Sequence, residues 1–267
     1  MPITRTYYKV HRVFPDPDYF YLENISGSTT SFSINKIGTP ASTDLAYSFD
    51  KVTWTDIHNG GSITNVANGA KVYLRSSTGF SIDNSNYYKI NCGRCNLGGD
   101  IVSLIDYLFM GSINEIPQNC FIYIFNNNND IVNANFSLRG ITTINQGAFQ
   151  YTFQNDYSLI SVPDFADVTT LGVGALEGMF LNCTSLRTPL DLTNVTNTTT
   201  SSIRSLYQGC SLFNDAIYPN IPVWSDSITY TWLANTAATG VVRKPAGTTI
   251  QTGTASGVPT GWTTEDY

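Results

Sequence analysis

Apolar and polar positions alternate in short runs through the first ninety residues. Phe32 and Ile34 flank a serine in 30–37 (TSFSINKI), Tyr47 and Phe49 flank one in 45–50, and Val72 and Leu74 alternate in 71–76. A period of two is the signature of a half-buried strand. Residues 18–25, 52–57 and 62–67 add further short stretches rich in β-branched and aromatic residues. Turn signals separate them: Gly27-Ser28, Gly38-Thr39-Pro40, Asn59-Gly60-Gly61, Asn68-Gly69 and Thr78-Gly79. Asp50-Lys51 fits a tight hairpin, and Asn68-Gly69 a second hairpin or a strand entry. Strand-length segments at this spacing predict an all-β sandwich over residues 1–91.

The pattern changes near residue 92. Apolar residues at 101, 104, 105, 108 and 109 lie on one face of a short helix, with Asp100 placed to cap its N-terminus. This helix would cover the open end of the segment beyond it, and that segment is repetitive. The aromatics Phe125, Phe153, Phe180, Tyr207 and Trp232 are spaced by 28, 27, 27 and 25 residues. Nine residues before them lie Ile116, Ile144, Leu171, Thr198 and Val223; five before, the small Cys120, Ala148, Ala175, Ser202 and Ser227. Four before lie Phe121, Phe149, Leu176, Ile203 and Ile228, and six after the first four lie Ile131, Leu159, Leu186 and Phe213. Positions −4 and 0 share one face of a helical turn. No unit can bury its own apolar face, so stacking must build the core. The expected fold is mixed β and α/β: an N-terminal β-sandwich (1–91), a short leucine-rich solenoid with a helical N-cap (92–240) and a capping tail (241–267).

Composition narrows the function. Only 13% of residues are charged, and the net charge is −6 with 14 Lys plus Arg. With no basic run, a nucleic-acid partner is not expected. Ile101 to Ile113 is the longest apolar segment, too short to span a bilayer and interrupted by Asp106. Membrane insertion is therefore not expected. The opening residues show no apolar signal core, which predicts a protein that folds where it is made.

The stretches MFLNCTSL (179–186), LYQGCSLF (206–213) and TFQNDYSLISVP (152–163) resemble the BspA-like leucine-rich repeat family. Its members are surface proteins of gut and oral anaerobic bacteria and related structural proteins of their phages. ASGVPTGWTTED (255–266) resembles the closing motif of these chains, and the front half the β-domain that often precedes the repeats. The resemblance covers about residues 18–266. One departure is that Asn128 and Asp156 stand where the later units carry Cys183 and Cys210. The resemblance implies a surface or virion protein, and the missing signal favours the phage lineage.

Candidate chemistry is sparse. Cys92-Gly-Arg-Cys95 reads first as structural thiols, with a disulfide or half a zinc site as alternatives. His11 and His58 do not complete a metal set. Cys183 and Cys210 read as small buried fillers. Asp16 with Asp18, Asp164 with Asp167, and Glu177 are the carboxylates a glycosidase could use, but no motif fixes their geometry. Asn126 to Asp130 offers oxygen ligands for Ca²⁺, though a polar turn fits better. Nucleophile elbows, phosphate loops and dinucleotide fingerprints are missing. Tyr7, Tyr8, Tyr19, Tyr21, Tyr87, Tyr88 and Trp224 suit a core or subunit interface, or contacts to a glycan.

The sequence therefore predicts a non-enzymatic bacteriophage virion protein, a head or tail fibre or decoration protein, that presents an adhesive surface to host-envelope or mucosal glycans. The alternative is a bacterial cell-surface adhesin. No cofactor or metal is expected. The expected partners are other virion proteins and further copies of the chain, as a dimer or trimer.

Overall fold

The computed structural model describes residues 19–40, 44–57, 60–76, 85–108, 112–221 and 224–267. Eight strands come first: β1 (Tyr21–Asn24), β2 (Thr30–Ile37), β3 (Ala46–Ser48), β4 (Thr55–Asp56), β5 (Gly61–Val66), β6 (Lys71–Arg75), β7 (Tyr87–Asn91) and β8 (Cys95–Asp100). A single helical turn, α1 (Ser103–Asp106), leads to β9 (Glu115–Ile116), β10 (Ile131–Ser137), β11 (Thr143–Ile144), β12 (Thr170–Leu171) and β13 (Asn197–Thr198). The chain closes with β14 (Asp215–Ile217), α2 (Asp226–Thr229), β15 (Gly240–Lys244) and β16 (Trp262–Asp266).

The strands form four sheets, in the orders β10-β8-β1-β6-β3-β4, β5-β2-β7, β13-β12-β11-β9 and β14-β15-β16. The first two bury Leu22, Val72, Leu74 and Leu97 on one side and Phe32, Ile34, Ile63 and Ile90 on the other, within one apolar cluster. Asp50 lies in the β3–β4 hairpin, where its carboxylate accepts the amides of Val52 and Thr53 at 2.8 and 2.7 Å. Those two bonds, with one from the Ser48 hydroxyl, hold its carboxyl down at about 2. Asn68-Gly69 is a strand entry: β5 pairs with β2, whereas β6 pairs with β1 and β3. The first sheet also crosses residue 91, because β8 pairs antiparallel with β1 and parallel with β10.

The expected mixed fold with a leucine-rich solenoid is overturned. Among the described residues strand makes up 31% and helix 3%, in two helices of four residues each. No α/β repeat unit forms among the described residues. The 27-residue units instead stack as coils whose two-residue strands run parallel, Ile116 beside Ile144 beside Leu171 beside Thr198. The segments expected to be helical turns are ribbons of consecutive tight turns. Alternate amides point to the next coil: Phe121 to the Ala148 carbonyl at 2.8 Å, Phe149 to Ala175 at 2.9 Å and Leu176 to Ser202 at 2.9 Å. The amides between them reach back three residues, as Gln150 to Gly147 and Glu177 to Gly174, both at 3.1 Å. Both sets of backbone groups are thus satisfied without helix or long strand.

This geometry needs a left-handed residue at every fourth position. Asn119, Tyr123 and Asn127 hold positive φ in the first ribbon; Gly147, Tyr151 and Asn155, then Gly174, Gly178 and Asn182, then Ser201, Ser205 and Gly209 do so in the next three. Glycine and asparagine suit that region. A β-branched or bulky residue there is strained, so Tyr123 and Tyr151 are held by their surroundings.

The expected capping helix is also corrected. α1 is one turn, has no side-chain cap, and sits against β6: Ser103 accepts the Phe20 amide at 2.9 Å and donates to the Leu74 carbonyl at 3.0 Å. Asp100 belongs to β8 and accepts the Val102 amide at 3.0 Å. Phe109 lies outside the described residues. The first ribbon is covered by a strand instead. Within β7 the Ile90 amide donates to the Ile124 carbonyl at 2.7 Å. Asn128 joins the same junction, donating to the Ile90 carbonyl at 2.7 Å and accepting the Cys92 amide at 3.2 Å. Cys92 and Cys95 are joined as a disulfide in the turn between β7 and β8, not held as separate thiols.

Candidate functional site

Every described repeat position from Ile116 to Trp232 is buried except Thr198, which is half-buried, and Ser227, which is exposed. Phe125 stacks on Phe153 at 5.4 Å between ring centroids, and Phe153 on Phe180 and Phe180 on Tyr207 at 5.8 Å each. Tyr207 then turns to Phe213 at 4.0 Å, and Trp232 packs beside Tyr218 and Trp224. Val223 lies outside the described residues. Between these apolar columns run columns that face solvent, and they build the candidate site.

Tyr123 and Tyr151 stand two residues before their anchors, and their rings stack at 5.4 Å and 7°. Tyr87 of β7 continues the row at 5.1 Å from Tyr123. In the next coil the same position is Gly178, and a Cβ there would collide with the Tyr151 ring. One residue away lies the column Gln150, Glu177 and Arg204. Glu177 accepts from the Gln150 amide at 3.0 Å and the Tyr151 hydroxyl at 3.2 Å, and Arg204 approaches it at 3.6 Å. Burial, then the Glu177 carboxylate, pushes the Tyr151 hydroxyl up to about 12, so it remains a proton donor at physiological pH.

Beside this row opens a groove of about 510 Å³, lined by Ser85, Asn86, Asn119, Gln146, Gly147, Gln150, Val173, Gly174 and Glu177. Its wall at 85–86 comes from the residues entering β7 and its floor from three successive coils. Gly147 and Gly174 keep the floor low: a Cβ at 147 would strike the Asn119 amide, and one at 174 would stand 3.2 Å from the Glu177 carboxylate. Glu177 is the one carboxylate among the described lining residues, and none of them is Lys or Arg. A paired-carboxylate hydrolysis is therefore not provided for here. Hydrogen bonding to a polar, uncharged ligand is.

A second polar column runs at the next left-handed position. The Asn155 amide donates to Asn127 at 2.6 Å, and Asn182 donates to Asn155 at 2.8 Å. Asn126 donates to Gln154 at 2.8 Å. The Asn126 to Asp130 run is thus the start of an amide ladder. Among the described residues no group of three or more His, Cys, Asp or Glu could hold a metal ion.

The remaining candidates fall elsewhere. Asp164 accepts the Ala166 amide and Asp167 that of Gly140, both at 3.0 Å, so each closes a turn or links coils. Cys183 and Cys210 are buried free thiols that donate to the carbonyls of Phe153 and Phe180 at 3.1 and 2.9 Å. Tyr19 packs edge-on to Trp54, Tyr21 lies under the Lys71 ammonium at 4.0 Å, Tyr88 is fully buried, and Trp224 is half-buried. Tyr7, Tyr8, His11, Asp16, Asp18 and His58 lie outside the described residues. Gln146, Gln150, Tyr123 and Tyr151 are site residues that the sequence pattern did not single out. Their signal was there: polar residues one or two places from the apolar columns, repeating at the same spacing.

Among the described residues no helix is long and apolar enough to cross a membrane. No protein-family model matches the chain, and neither a curated protein nor a solved structure shows significant similarity to it.

Proposed function

We propose that the chain is a non-enzymatic structural protein of a bacteriophage particle, a head or tail fibre or decoration protein, presenting an adhesive surface to host-envelope or mucosal glycans. The observation that carries the adhesive part is the row of Tyr, Gln, Glu and Asn side chains fixed on the turn ribbons. Each is held by hydrogen bonds or ring stacking to the coils above and below. A rigid array of donors and acceptors, uncharged apart from Glu177, suits glycans, because little side-chain entropy is lost on contact. Single contacts of this kind are weak, and many copies on one particle would supply avidity. The phage setting rests on the resemblance of the repeat and closing motifs.

The Cys92–Cys95 disulfide favours a second reading, a bacterial cell-surface adhesin, because such bonds persist in oxidising surroundings. Mass spectrometry of purified phage particles and of host envelopes separates the two. The chain is expected in the particles; finding it only on envelopes of phage-free cells transfers the function to the bacterium.

A further inference from the structure

We propose that the groove beside the Tyr87–Tyr123–Tyr151 row is the saccharide subsite and that it selects neutral sugar residues over sialylated or sulfated ones. The inference rests on the adhesive reading above and gives it a location and a ligand charge. Three observations carry it. First, the groove's volume of about 510 Å³ is of the size that holds a small ligand. Second, its open hydrogen-bonding groups include the planar amide ends of Gln146 and Gln150. The exposed Gln146 side chain makes no hydrogen bond among the described residues, and Gln150 spends its NH₂ on Glu177 while its carbonyl oxygen stays open. Val173, 45% exposed, adds an apolar patch of the kind the C–H face of a sugar ring covers. Third, the charge is one-sided. Glu177 lines the groove, no described lining residue is cationic, and Arg204, which reaches Glu177, is not in the lining. A sugar carboxylate or sulfate entering here meets the Glu177 carboxylate with no cationic side chain in the described lining to pair with, which costs binding relative to a neutral sugar. The Tyr123 and Tyr151 faces are spent on each other, so the rings supply edges, not a stacking platform.

The test uses the full chain in titration calorimetry and on a glycan array. The probes are neutral N-acetylhexosamine-containing oligosaccharides and the same cores capped with sialic acid or sulfate. Wild type is expected to bind the neutral forms more tightly. Gln146→Ala, a surface change, should weaken them about fivefold, as expected for one lost hydrogen bond. Glu177→Gln should narrow the gap between capped and neutral forms. Neutral binding unchanged by Gln146→Ala overturns the groove assignment while leaving the adhesive reading in place. Equal wild-type binding of capped and neutral forms overturns the charge selection. If wild type binds no saccharide at all, both the subsite and the glycan half of the adhesive reading fail, and a role on the particle is judged by mass spectrometry alone.

Discussion

Gly178 sits at a φ of +58° directly beneath the Tyr151 ring, and both facts demand glycine. Gly178→Ala should cost about 1–3 kcal/mol from the left-handed backbone and the collision together. Chemical denaturation checks the loss, and a change in the near-ultraviolet tyrosine signal reports a displaced ring. Asp156 is a different kind of residue-scale problem. It occupies the column of Asn128, Cys183 and Cys210, is fully buried, and neither carboxyl oxygen has a hydrogen-bond partner among the described residues. Burial pushes its carboxyl up to about 8, with Asp130 adding to the shift; the nearby amides of Ile131 and Ser158 oppose it without donating in good geometry. An unfolded aspartate titrates near about 3.9. Between those values the folded chain holds a proton that the unfolded chain has released. Stability from this group is therefore fully present below about pH 4 and is lost as pH rises towards 8, with a slope of at most about 1.4 kcal/mol per pH unit. Asp156→Asn should flatten that dependence and exceed wild type in stability at pH 9. Urea midpoints at pH 5, 7 and 9 test it; parallel profiles for the two proteins would sink the argument.

At the scale of the element, the turn ribbon explains why the repeat columns are legible in the sequence although the type of turn is not. A ribbon with a left-handed residue at every fourth position returns side chains to the same face at i and i+4, as a helix nearly does. Phe121 and Phe125 therefore share a face in either case. What distinguishes ribbon from helix is the Asn, Gly and Ser content at 119, 127, 147, 155, 174, 182 and 201, which helices disfavour in their interiors. Tyr123 and Tyr151 obscure that signal, because tyrosine is rarely left-handed. The ring stack is the element's main store of apolar contact. Phe180 lies between Phe153 and Tyr207 at 5.8 Å from each, with no exposed surface. Phe180→Ala should cost about 3–5 kcal/mol, read from urea unfolding. Unchanged stability would mean that the stack does not support the coils.

Across the whole molecule the apolar interior is continuous, from Phe20 through the ring stack to Trp262. Phe20 touches Phe125 at 6.0 Å and Phe136 at 5.8 Å, so the β-rich front and the coils share a core. Trp54 in the front and Trp232 and Trp262 in the rear should therefore report one unfolding transition in urea, coincident with circular dichroism. Two separated transitions would show that the halves fold independently. Asn128→Ala removes the amide that links β7 to the first ribbon and should lower the common stability by about 1–3 kcal/mol, the cost of leaving buried polar groups unpaired. The sequence by itself determined strands β1 to β6, the 27-residue spacing and most of the buried column side chains, because burial periodicity is written locally in residue types. It did not determine that β7 and not a helix would cover the first coil, that β8 would pair with both β1 and β10, or that Cys92 would bond to Cys95. Nor did it bring Gln146, Gln150 and Glu177 to one groove. Those outcomes depend on which distant backbone groups remain unpaired once the coils have stacked, and only the tertiary structure decides that.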